Sequence, residues 1–416
     1  MRRAPRLLAT ISLWAVGIVS LQTQASYADD GGPDADLDAD LDVAAEASLD
    51  ATSDGNPDAT SGPILEAGPG PTIDAGPDAT LEAGSGPTVE AGSDEGGQAS
   101  TLPRAVKVLV INMFGGEAQP FLDNLHLTQD IAVPGLSPDY PDVHCNGDDV
   151  CELTTGEDHT NVAASVSALE YSGMFDLTTT YFLVAGISGI DPTQGTLGSA
   201  AWAHYLIDFG IQWEIDARTL PTTWSTGYLG INTTSPTDKP PLDYRTEVFE
   251  LDPALVLKAY ALSRGAPLTD DATAIAYRAH WNIAPANQPP TVVICDTAAG
   301  DTWWHGALLE KRAQDWTKIL TDGKGTYCTT QQEDNATYEA LTRGATAGLL
   351  DIKRVLVLRT ASNFDRPYPG QTPYDSLVTA ISGGFVPSTQ NLYVASAPVI
   401  ADMVADWTAW KVGVPQ

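Results

Sequence analysis

The stretch RVLVLRTASNFDRP, residues 354–367, decides the fold. Its apolar run between Arg354 and Arg359, with valine at alternate positions, is typical of an interior strand of an α/β sheet rather than of a surface helix. A polar cluster from Thr360 to Asp365 follows at once. Because loops at the carboxyl ends of strands line the ligand crevice of open α/β sheets, this segment predicts a buried strand that ends at a binding site.

Segments of the same kind alternate with helical patterns along the chain. Their order predicts an α/β fold, a three-layer α/β/α domain with a mainly parallel or mixed central sheet. The predicted strands are 106–114, 179–192, a pair around 201–209 and 212–219, 290–301 and 354–363, and the predicted helices are 115–125, 157–172 and 335–350. Residues 230–290 are expected to form an inserted helical segment. Gly186 and Gly189 are expected to form a tight turn at positive φ after the second strand.

The first hundred residues predict two further regions. Residues 1–28 have a cationic start, a short apolar run and small residues at the end, which is the pattern of a secretory signal peptide. Residues 29–100 carry many Asp and Glu, no Lys or Arg, and Pro and Gly throughout, so they predict a disordered acidic linker. A calcium-binding interpretation of DADLDADLD, residues 34–42, lacks the glycine and closing glutamate of a calcium loop. We therefore expect a soluble domain at 101–416, without a transmembrane segment, in the periplasm or secreted to the cell surface.

The charge balance excludes one class of ligand. The chain contains 54 acidic and 21 basic residues, a net charge of −33. A field of this sign repels nucleic acid, and no basic stripe offers a binding surface. We expect no nucleic-acid partner.

All four cysteines lie in the predicted domain. In an exported protein an even number favours disulfides, although three connectivities are open. The spacing favours Cys145 with Cys151 and, more weakly, Cys295 with Cys328. The alternative, a metal site in HCNGDDVC (residues 144–151), has mixed ligands without a recognised zinc spacing. We expect no metal.

Two glycine-containing segments fail as cofactor or nucleophile motifs. GISGI, residues 186–190, lacks the second glycine of a nucleophile elbow because Ile190 stands there. FGGEA, residues 114–118, has the spacing of neither a phosphate-binding loop nor a dinucleotide fingerprint. We therefore expect no nucleotide or nicotinamide cofactor.

Taken together, several motifs resemble the purine nucleoside permease family over residues 104–416. They are INMFGGEAQPF (111–121), TTGEDHTN (154–161), VAGISGIDP (184–192), AAGDTWWHG (298–306), QQEDNATYEAL (331–341) and LRTASNFDRP (358–367). A more distant similarity connects them with nucleoside phosphorylases and methylthioadenosine nucleosidases. The resemblance implies a nucleoside phosphorylase-like fold, a purine nucleoside as ligand and a role in nucleoside uptake. A chain without a spanning segment cannot itself form a channel, so transport would be indirect.

The resemblance also implies roles for individual residues. Asn363 matches the residue that faces the purine base, and Asp365 would supply a proton if Asn363 only orients the base. Glu117 matches the carboxylate that activates water, although an acidic residue that stabilises a helix N-terminus is an open alternative. Trp303 and Trp304 match an aromatic that stacks on the base, and at least one of them is expected to be ordinary core.

Ribose recognition departs from the family pattern. Asn335 stands where related enzymes carry the carboxylate that holds the ribose hydroxyls, with Glu333 or Asp334 expected to compensate. The strand segment before GISGI, YFLVAG (181–186), lacks the arginine that phosphorolysis usually places near phosphate, which weakens the case for phosphate as co-substrate but leaves it open. The remaining residues expected to bind substrate are Gly115, Gly116, Thr155, Gly156, His159, Ser188, Gly189 and Ser362. For His159 and for His204, a structural role is the open alternative.

We expect an exported protein that binds purine nucleosides and cleaves their N-glycosidic bond by water or phosphate. Glu117, Asn363 and Asp365 are the expected catalytic residues. A non-catalytic nucleoside receptor is the alternative. A purely structural surface protein would leave the polar strand ends unexplained. Whether the chain forms a homo-oligomer or works with a transporter partner is left open.

Overall fold

The computed structural model describes residues 102–416. The predicted signal peptide (1–28) and acidic linker (29–100) lie outside the described residues. The strands are β1 Arg104–Ala105, β2 Val108–Asn112, β3 Gln129–Ala132, β4 Asp142–Cys145, β5 Val150–Thr154, β6 Phe175–Asp176, β7 Tyr181–Ile190, β8 Ala200–Trp202, β9 Tyr205–Asp208, β10 Trp213–Glu214, β11 Tyr228–Leu229, β12 Val248–Glu250, β13 Val292–Ile294, β14 Asp296–Ala299, β15 Tyr327–Gln331 and β16 Val355–Phe364. The helices are α1 Gly115–Asn124, α2 Asp158–Tyr171, α3 Pro253–Ser263, α4 Ala272–Arg278, α5 Ala307–Leu320, α6 Asp334–Thr346, α7 Phe385–Ala405 and α8 Trp407–Trp410.

Twelve of the strands form one large mixed sheet, in the order β12-β9-β14-β15-β7-β2-β5-β4-β3, with β16, β8 and β13 joined to it through β7. β1 with β6, and β10 with β11, form two separate two-stranded sheets. β2, β5, β7 and β16 pair in parallel, whereas β15 runs antiparallel to β7. The central strands are buried along almost their whole length, which requires cover on both faces of the sheet. Helices α1, α3 and α7 pack together, as do α2 and α6. The predicted α/β class with a central mixed sheet is confirmed.

The structure changes three details of the sequence prediction. The polar cluster expected to follow the last strand lies within it, because β16 continues to Phe364, one residue beyond the predicted strand 354–363. GISGI does not form a turn: Gly186 and Gly189 both lie in β7 and neither has a positive φ. Residues 230–290 contain the two expected helices, α3 and α4, but the rest of this segment is loops and the short strand β12, so the segment is only partly helical.

The cysteines form two disulfides. Cys145 and Cys151 pair across the β4–β5 hairpin, where they lie opposite each other in register. Cys295 and Cys328 link the start of β14 to β15. Both predicted pairings are confirmed, and the metal interpretation of residues 144–151 is wrong because both of its thiols are in a disulfide.

No helix between residues 102 and 416 combines the length and apolar character needed to cross a bilayer. Over the same residues, no group of three or more His, Cys, Asp or Glu side chains is arranged to hold a metal ion.

Candidate functional site

The site is built around a gap along one edge of β7. β16 pairs with β7 from Phe182 to Ile190 and occupies one edge. On the other edge β2 pairs only as far as Val184, and β15 pairs only with Gly189 and Ile190. The backbone between these two partners therefore has no strand beside it. Because buried backbone groups need hydrogen bonds, side chains must take the place of the missing strand.

Glu117 supplies one of these side chains. It lies in the first turn of α1, directly after β2, and only 2% of its surface is exposed. Its Oε1 accepts a hydrogen bond from Ile187 N (2.6 Å) and its Oε2 accepts one from Met113 N (2.9 Å). Burial raises the pKa of Glu117 to about 8, although Arg359 acts in the opposite direction. Glu117 is thus a buried carboxyl that can hold or release a proton near neutral pH.

Arg359 reaches the same residue, Ile187, from β16. Its Nη1 donates to Ile187 O (3.1 Å), and its Nη2 donates to Asp334 Oδ1 (2.6 Å) and Glu333 Oε2 (3.0 Å). The side chain is 1% exposed. Burial by itself would lower the pKa of Arg359, but Asp334 and Glu333 raise it above its usual range. The guanidinium is therefore a permanently charged group held rigidly under the site.

Gly186 leaves the space that this guanidinium occupies. A Cβ atom at Gly186 would overlap Arg359 Nη1 and would lie 2.9 Å from Met113 Sδ. The glycine is thus required by close packing of a side chain, not by a turn.

The two acids that hold Arg359 begin α6. Gln331 Oε1 accepts hydrogen bonds from the N–H groups of Glu333 (2.6 Å) and Asp334 (2.9 Å) and fixes the start of the helix. Negative side chains are favourable at this end of a helix. Burial raises the pKa of Asp334, while Arg359 acts to lower it. Glu333 lines the cleft, whereas Asp334 lies behind it.

The far end of the cleft is formed by the last residues of β16. The register of β16 against β7 shifts between Ala361 and Asn363, an irregularity that redirects the side chains that follow it. Ser362 Oγ lies 3.1 Å from Ser188 O and 2.9 Å from Asn363 Oδ1. Asn363 Nδ2 donates to Phe364 O (3.0 Å), which leaves its second N–H and part of its oxygen for a ligand.

The cavity at the cleft has a volume of about 70 Å³, and a second cavity of about 350 Å³ adjoins it. Together they fall within the size range of ligand pockets, which is roughly 300 to 1,000 Å³. They share the following lining residues: Phe114, Glu157, Ile187, Trp303, Ser362 and Asn363. The added space is mostly aromatic and aliphatic. The joined cavity therefore has a charged end near Glu117 and an apolar end beyond Asn363.

The two adjacent tryptophans have different environments. Trp303 is 59% exposed and lines both cavities, so its ring is available to a ligand. Trp304 is 5% exposed and packs against Phe209 and Tyr327. The expectation that at least one of them is core is confirmed for Trp304.

Comparison with known proteins places the chain in a family. The pattern of the family described as purine nucleoside permease matches residues 105–415. The chain belongs to the purine nucleoside permease family. It is 38% identical to a purine nucleoside permease of Candida albicans over 306 residues, which cover 72% of this chain and 75% of the relative. It is also 38% identical to a probable purine nucleoside permease of Schizosaccharomyces pombe over 319 residues, which cover 73% and 90% of the two chains.

Solved structures with a similar fold have low sequence identity. A 5′-methylthioadenosine/S-adenosylhomocysteine nucleosidase from Neisseria meningitidis, solved with methylthio-immucillin-A, is 12% identical, covers 72% of this chain and 98% of its own, and has a TM-score of 0.43. Futalosine hydrolase of Helicobacter pylori is 12% identical, covers 71% and 98%, and has a TM-score of 0.41.

The structure of this purine nucleoside permease family member brings together only some of the predicted residues. Those that line the cleft are Glu117, Ser188, Gly189, Trp303, Glu333, Ser362 and Asn363. Those that do not are Gly115, Gly116, Thr155, Gly156, His159, Trp304, Asp334, Asn335 and Asp365. Thr155 Oγ1 donates to backbone oxygens, and Gly156, at φ +87°, forms the turn into α2. His204 also lies elsewhere, beside Glu250.

Asn335 and Asp365 both lie outside the cleft. Asn335 Nδ2 donates to Thr246 O (2.8 Å), and the side chain lines a different cavity. Glu333, two residues earlier, occupies the position at the cleft. Asp365 is buried behind β16, where its Oδ2 accepts a hydrogen bond from Tyr327 Oη (2.6 Å). Burial raises the pKa of Asp365, and the nearby Asp191 adds to the effect.

Sequence reasoning missed Arg359, Glu157 and Gln331. The sequence did carry a signal for Arg359, because it is a charged residue inside an otherwise apolar strand and so requires a buried partner. No comparable signal marks Gln331, whose role depends on how α6 begins. Burial, together with Glu333 and Asp158, raises the pKa of Glu157 at the rim.

Proposed function

We propose that this protein is exported, binds purine nucleosides, and cleaves their N-glycosidic bond in support of nucleoside uptake. One observation carries the proposal: a single cleft holds a buried carboxyl, Glu117, at one end and the amide of Asn363 at the other. Membership of the purine nucleoside permease family supports a purine nucleoside as the ligand.

The cleft has the groups that glycosidic cleavage requires. Breaking the bond builds positive charge on the ribose and negative charge on the departing base. Glu333, at the charged end, would hold ribose hydroxyls and stabilise the cationic sugar. Asn363 would donate to the base as its negative charge develops, an interaction that strengthens in the transition state. Trp303 would stack on the base, which contributes roughly 1 to 3 kcal/mol.

Glu117 is the proposed general base. In its ionised form it would accept a proton from the attacking nucleophile, which is worth about 10²- to 10⁴-fold in rate. Its two backbone hydrogen bonds fix the carboxyl in place. Arg359 would hold Glu333 and Asp334 in place and offset part of their charge, since it binds both carboxylates and the Ile187 carbonyl.

Water is the proposed nucleophile. Among the described residues that line the cleft, Arg359 is the only lysine or arginine, and its donors are directed at protein acceptors. Phosphate binding usually depends on free cationic donors or on a helix N-terminus, and the two helix N-termini at the cleft, those of α1 and α6, carry Glu117, Glu333 and Asp334, which would repel a phosphate. Phosphorolysis would therefore lack a charged partner for its co-substrate.

The test is a product assay. Purified protein is incubated with inosine, guanosine and adenosine, with and without phosphate, and free base is measured. The proposal predicts base release at the same rate in both buffers. Base release only with phosphate would overturn the choice of water, and no release in either buffer would overturn cleavage.

A second candidate is a nucleoside receptor without catalysis. The observation that favours it is that both oxygens of Glu117 already accept backbone hydrogen bonds, as expected of a structural acid. A receptor would bind intact nucleoside in calorimetry and return it unchanged. The assay above separates the two candidates.

Export is tested independently of the cleft. The full chain, expressed in a host with a secretory pathway, should appear outside the cytoplasm with its N-terminus at Asp29. Retention of an intact N-terminus in the cytoplasm would contradict the proposed localisation.

A further inference from the structure

The second cavity, beyond Asn363, holds most of the space at the candidate site. Its volume is about 350 Å³, against about 70 Å³ for the cleft that contains Glu117 and Glu333. Neither of these two acids lines the second cavity, whereas Trp303 and Asn363, the residues assigned to the base, line both. A nucleoside with its ribose at Glu333 would therefore direct one edge of its base into the second cavity.

The walls of the second cavity are mostly apolar. Beyond the residues that it shares with the cleft, the following aromatic and aliphatic side chains line it: Tyr277, Phe364, Leu377, Ala380 and Phe385. Phe385 stacks on Phe114 with ring centroids 6.2 Å apart, and Tyr277 stacks on Phe364 with centroids 6.5 Å apart. These walls suit an alkyl or aromatic group.

The polar groups in these walls are not free for a ligand. Tyr277 Oη lies 3.2 Å from Ser376 Oγ, and Ser382 Oγ donates to Ser362 O (3.0 Å). His305 also lines the cavity, but both of its ring nitrogens are buried away from solvent. A polar ligand group placed here would lose hydrogen bonds to water and gain few in return, whereas an apolar group has none to lose.

Several of the apolar side chains around this cavity are exposed. Leu377 is 44% exposed, Phe385 is 52% exposed and Trp303 is 59% exposed. Apolar side chains that remain exposed together around a cavity are typical of a binding site, because covering them removes apolar surface from water. The cavity therefore favours a ligand with an apolar group at this end.

The chemistry of the base decides which of its positions faces the second cavity. The sugar is attached to N9, and Asn363 would donate to N7, the other nitrogen of the five-membered ring, as negative charge develops there. N7 lies next to carbon 6 of the purine. A substituent on carbon 6 therefore extends past Asn363, whereas a substituent at N9 lies towards Glu117 and Glu333.

We propose that the purine nucleosides bound here carry an alkyl or benzyl group on the amino group of carbon 6, and that the second cavity binds this group. The inference rests on the proposed function for the orientation of the nucleoside and goes beyond it by naming the substrate class. Burial of a group of the size of a phenylalanine side chain should tighten binding by about 10- to 100-fold.

The test compares two isomers that carry the same apolar group at different positions. Calorimetry on the full chain measures binding of adenine, N6-benzyladenine and 9-benzyladenine, none of which has a glycosidic bond to cleave. We expect N6-benzyladenine to bind at least about tenfold more tightly than the other two. A benzyl group at N9 would instead lie against carboxylates that lose their water.

The outcomes separate this inference from the proposed function. Equal binding of the two isomers, or no gain over adenine, would overturn the inference, and the proposed function would still stand if the product assay shows release of base. If none of the three bases binds and no base is released, both would fall.

Variants then locate the benzyl group. Leu377→Asp puts a carboxylate into the wall of the second cavity and should weaken binding of N6-benzyladenine at least about tenfold, which removes its advantage over adenine. Val378→Asp is the matched control, because Val378 is the next residue, is also exposed and does not line the cavity. It should leave binding unchanged. An equal loss in both variants, or none in a folded Leu377→Asp, would refute the site; if Leu377→Asp does not fold, the comparison of isomers on the wild-type chain still decides.

Discussion

Glu117 and Glu170 are two buried carboxyls in different regions, and their comparison shows what distinguishes a site from a core. Glu117 is 2% exposed and Glu170 is 4% exposed, and burial raises the pKa of each to about 8. Glu117 accepts two backbone hydrogen bonds and lines a cavity. Glu170 packs between α2 and α6, where a Cβ on Gly344 would lie 2.6 to 2.7 Å from its carboxyl group. Neither of its oxygens has a hydrogen-bond partner among the described residues. A raised pKa alone therefore does not identify a catalytic acid; fixed partners and access to a cavity do.

The largest expected effect is on catalysis. Glu117→Gln should lower the rate of base release from inosine by about 10²- to 10⁴-fold, because the amide cannot accept the proton of the nucleophile. Glu170→Gln, the matched control, should leave the rate unchanged. Thermal melting checks that both variants are folded. This control is needed because the NH₂ group of the new glutamine would face one of the two backbone N–H donors that now bind Glu117. An equal loss of rate in both variants would remove the distinction between the two acids.

A stability effect comes next. Arg359→Met leaves Asp334 and Glu333 buried without their cation, which should lower the free energy of unfolding by about 3 to 5 kcal/mol. Arg343→Met removes the exposed ion pair with Glu339 and should cost less than about 1 kcal/mol. Denaturant unfolding of both variants measures the difference. Similar losses would show that Arg359 is not held as the structure indicates.

The pH dependence of base release is a third test. A general base acts when ionised, so kcat/KM should rise about tenfold per pH unit below the pKa of Glu117 and level off above it. That pKa is about 8. Initial rates from pH 5 to pH 9 measure the profile, and Glu117→Gln should lose this dependence. A rate that falls as the pH rises through 8 would instead make Glu117 a general acid.

The smallest expected effect is on the stability contributed by Glu170. Its pKa is raised from 4.5 to about 8 in the folded chain. Below pH 4.5 the acid is protonated in both folded and unfolded chains, so Glu170→Gln should have little effect there. As the pH rises towards 8, only the unfolded chain loses the proton, which favours unfolding of the wild type. After allowance for solvent screening, the substitution should stabilise the protein by about 1 to 2 kcal/mol at pH 8. Chemical unfolding at pH 4 and pH 8 checks this, and the same gain at both values would contradict the raised pKa.

The alternating strands and helices could be predicted because hydrophobic periodicity is a local property of the sequence. The disulfides could be predicted from spacing and the inferred compartment. The place of the polar cluster was not decided by local pattern, since Thr360, Ser362 and Asn363 also resemble a loop. The pairing of β16 with β7, and of Thr360 with β8, keeps them in the strand. Strands that are distant in the sequence provide the backbone hydrogen bonds of residues that the local pattern assigns to a turn.

The site was only partly predictable for a geometrical reason. Motif matching aligned Asn335 with the ribose-binding position, but successive residues of an α-helix are rotated by about 100°. Two residues that are two positions apart at the start of α6 therefore face nearly opposite directions. Glu333 lies at the cleft, and Asn335 lies at a separate cavity between α2 and α6. A single helix start, set by Gln331, determines which residue meets which cavity.

The contact of Arg359 with Gly186, Glu333 and Asp334 also constrains how the sequence can diverge. Loss of the guanidinium leaves two buried acids without a cation, and loss of an acid leaves the guanidinium without full charge compensation. Any side chain at Gly186 would displace the guanidinium. Single substitutions at these positions are therefore selected against, whereas joint replacement by neutral residues is not. Relatives should carry the four residues as one inherited block, and a lineage without the arginine should also have lost the paired carboxylates and be free to vary at the glycine.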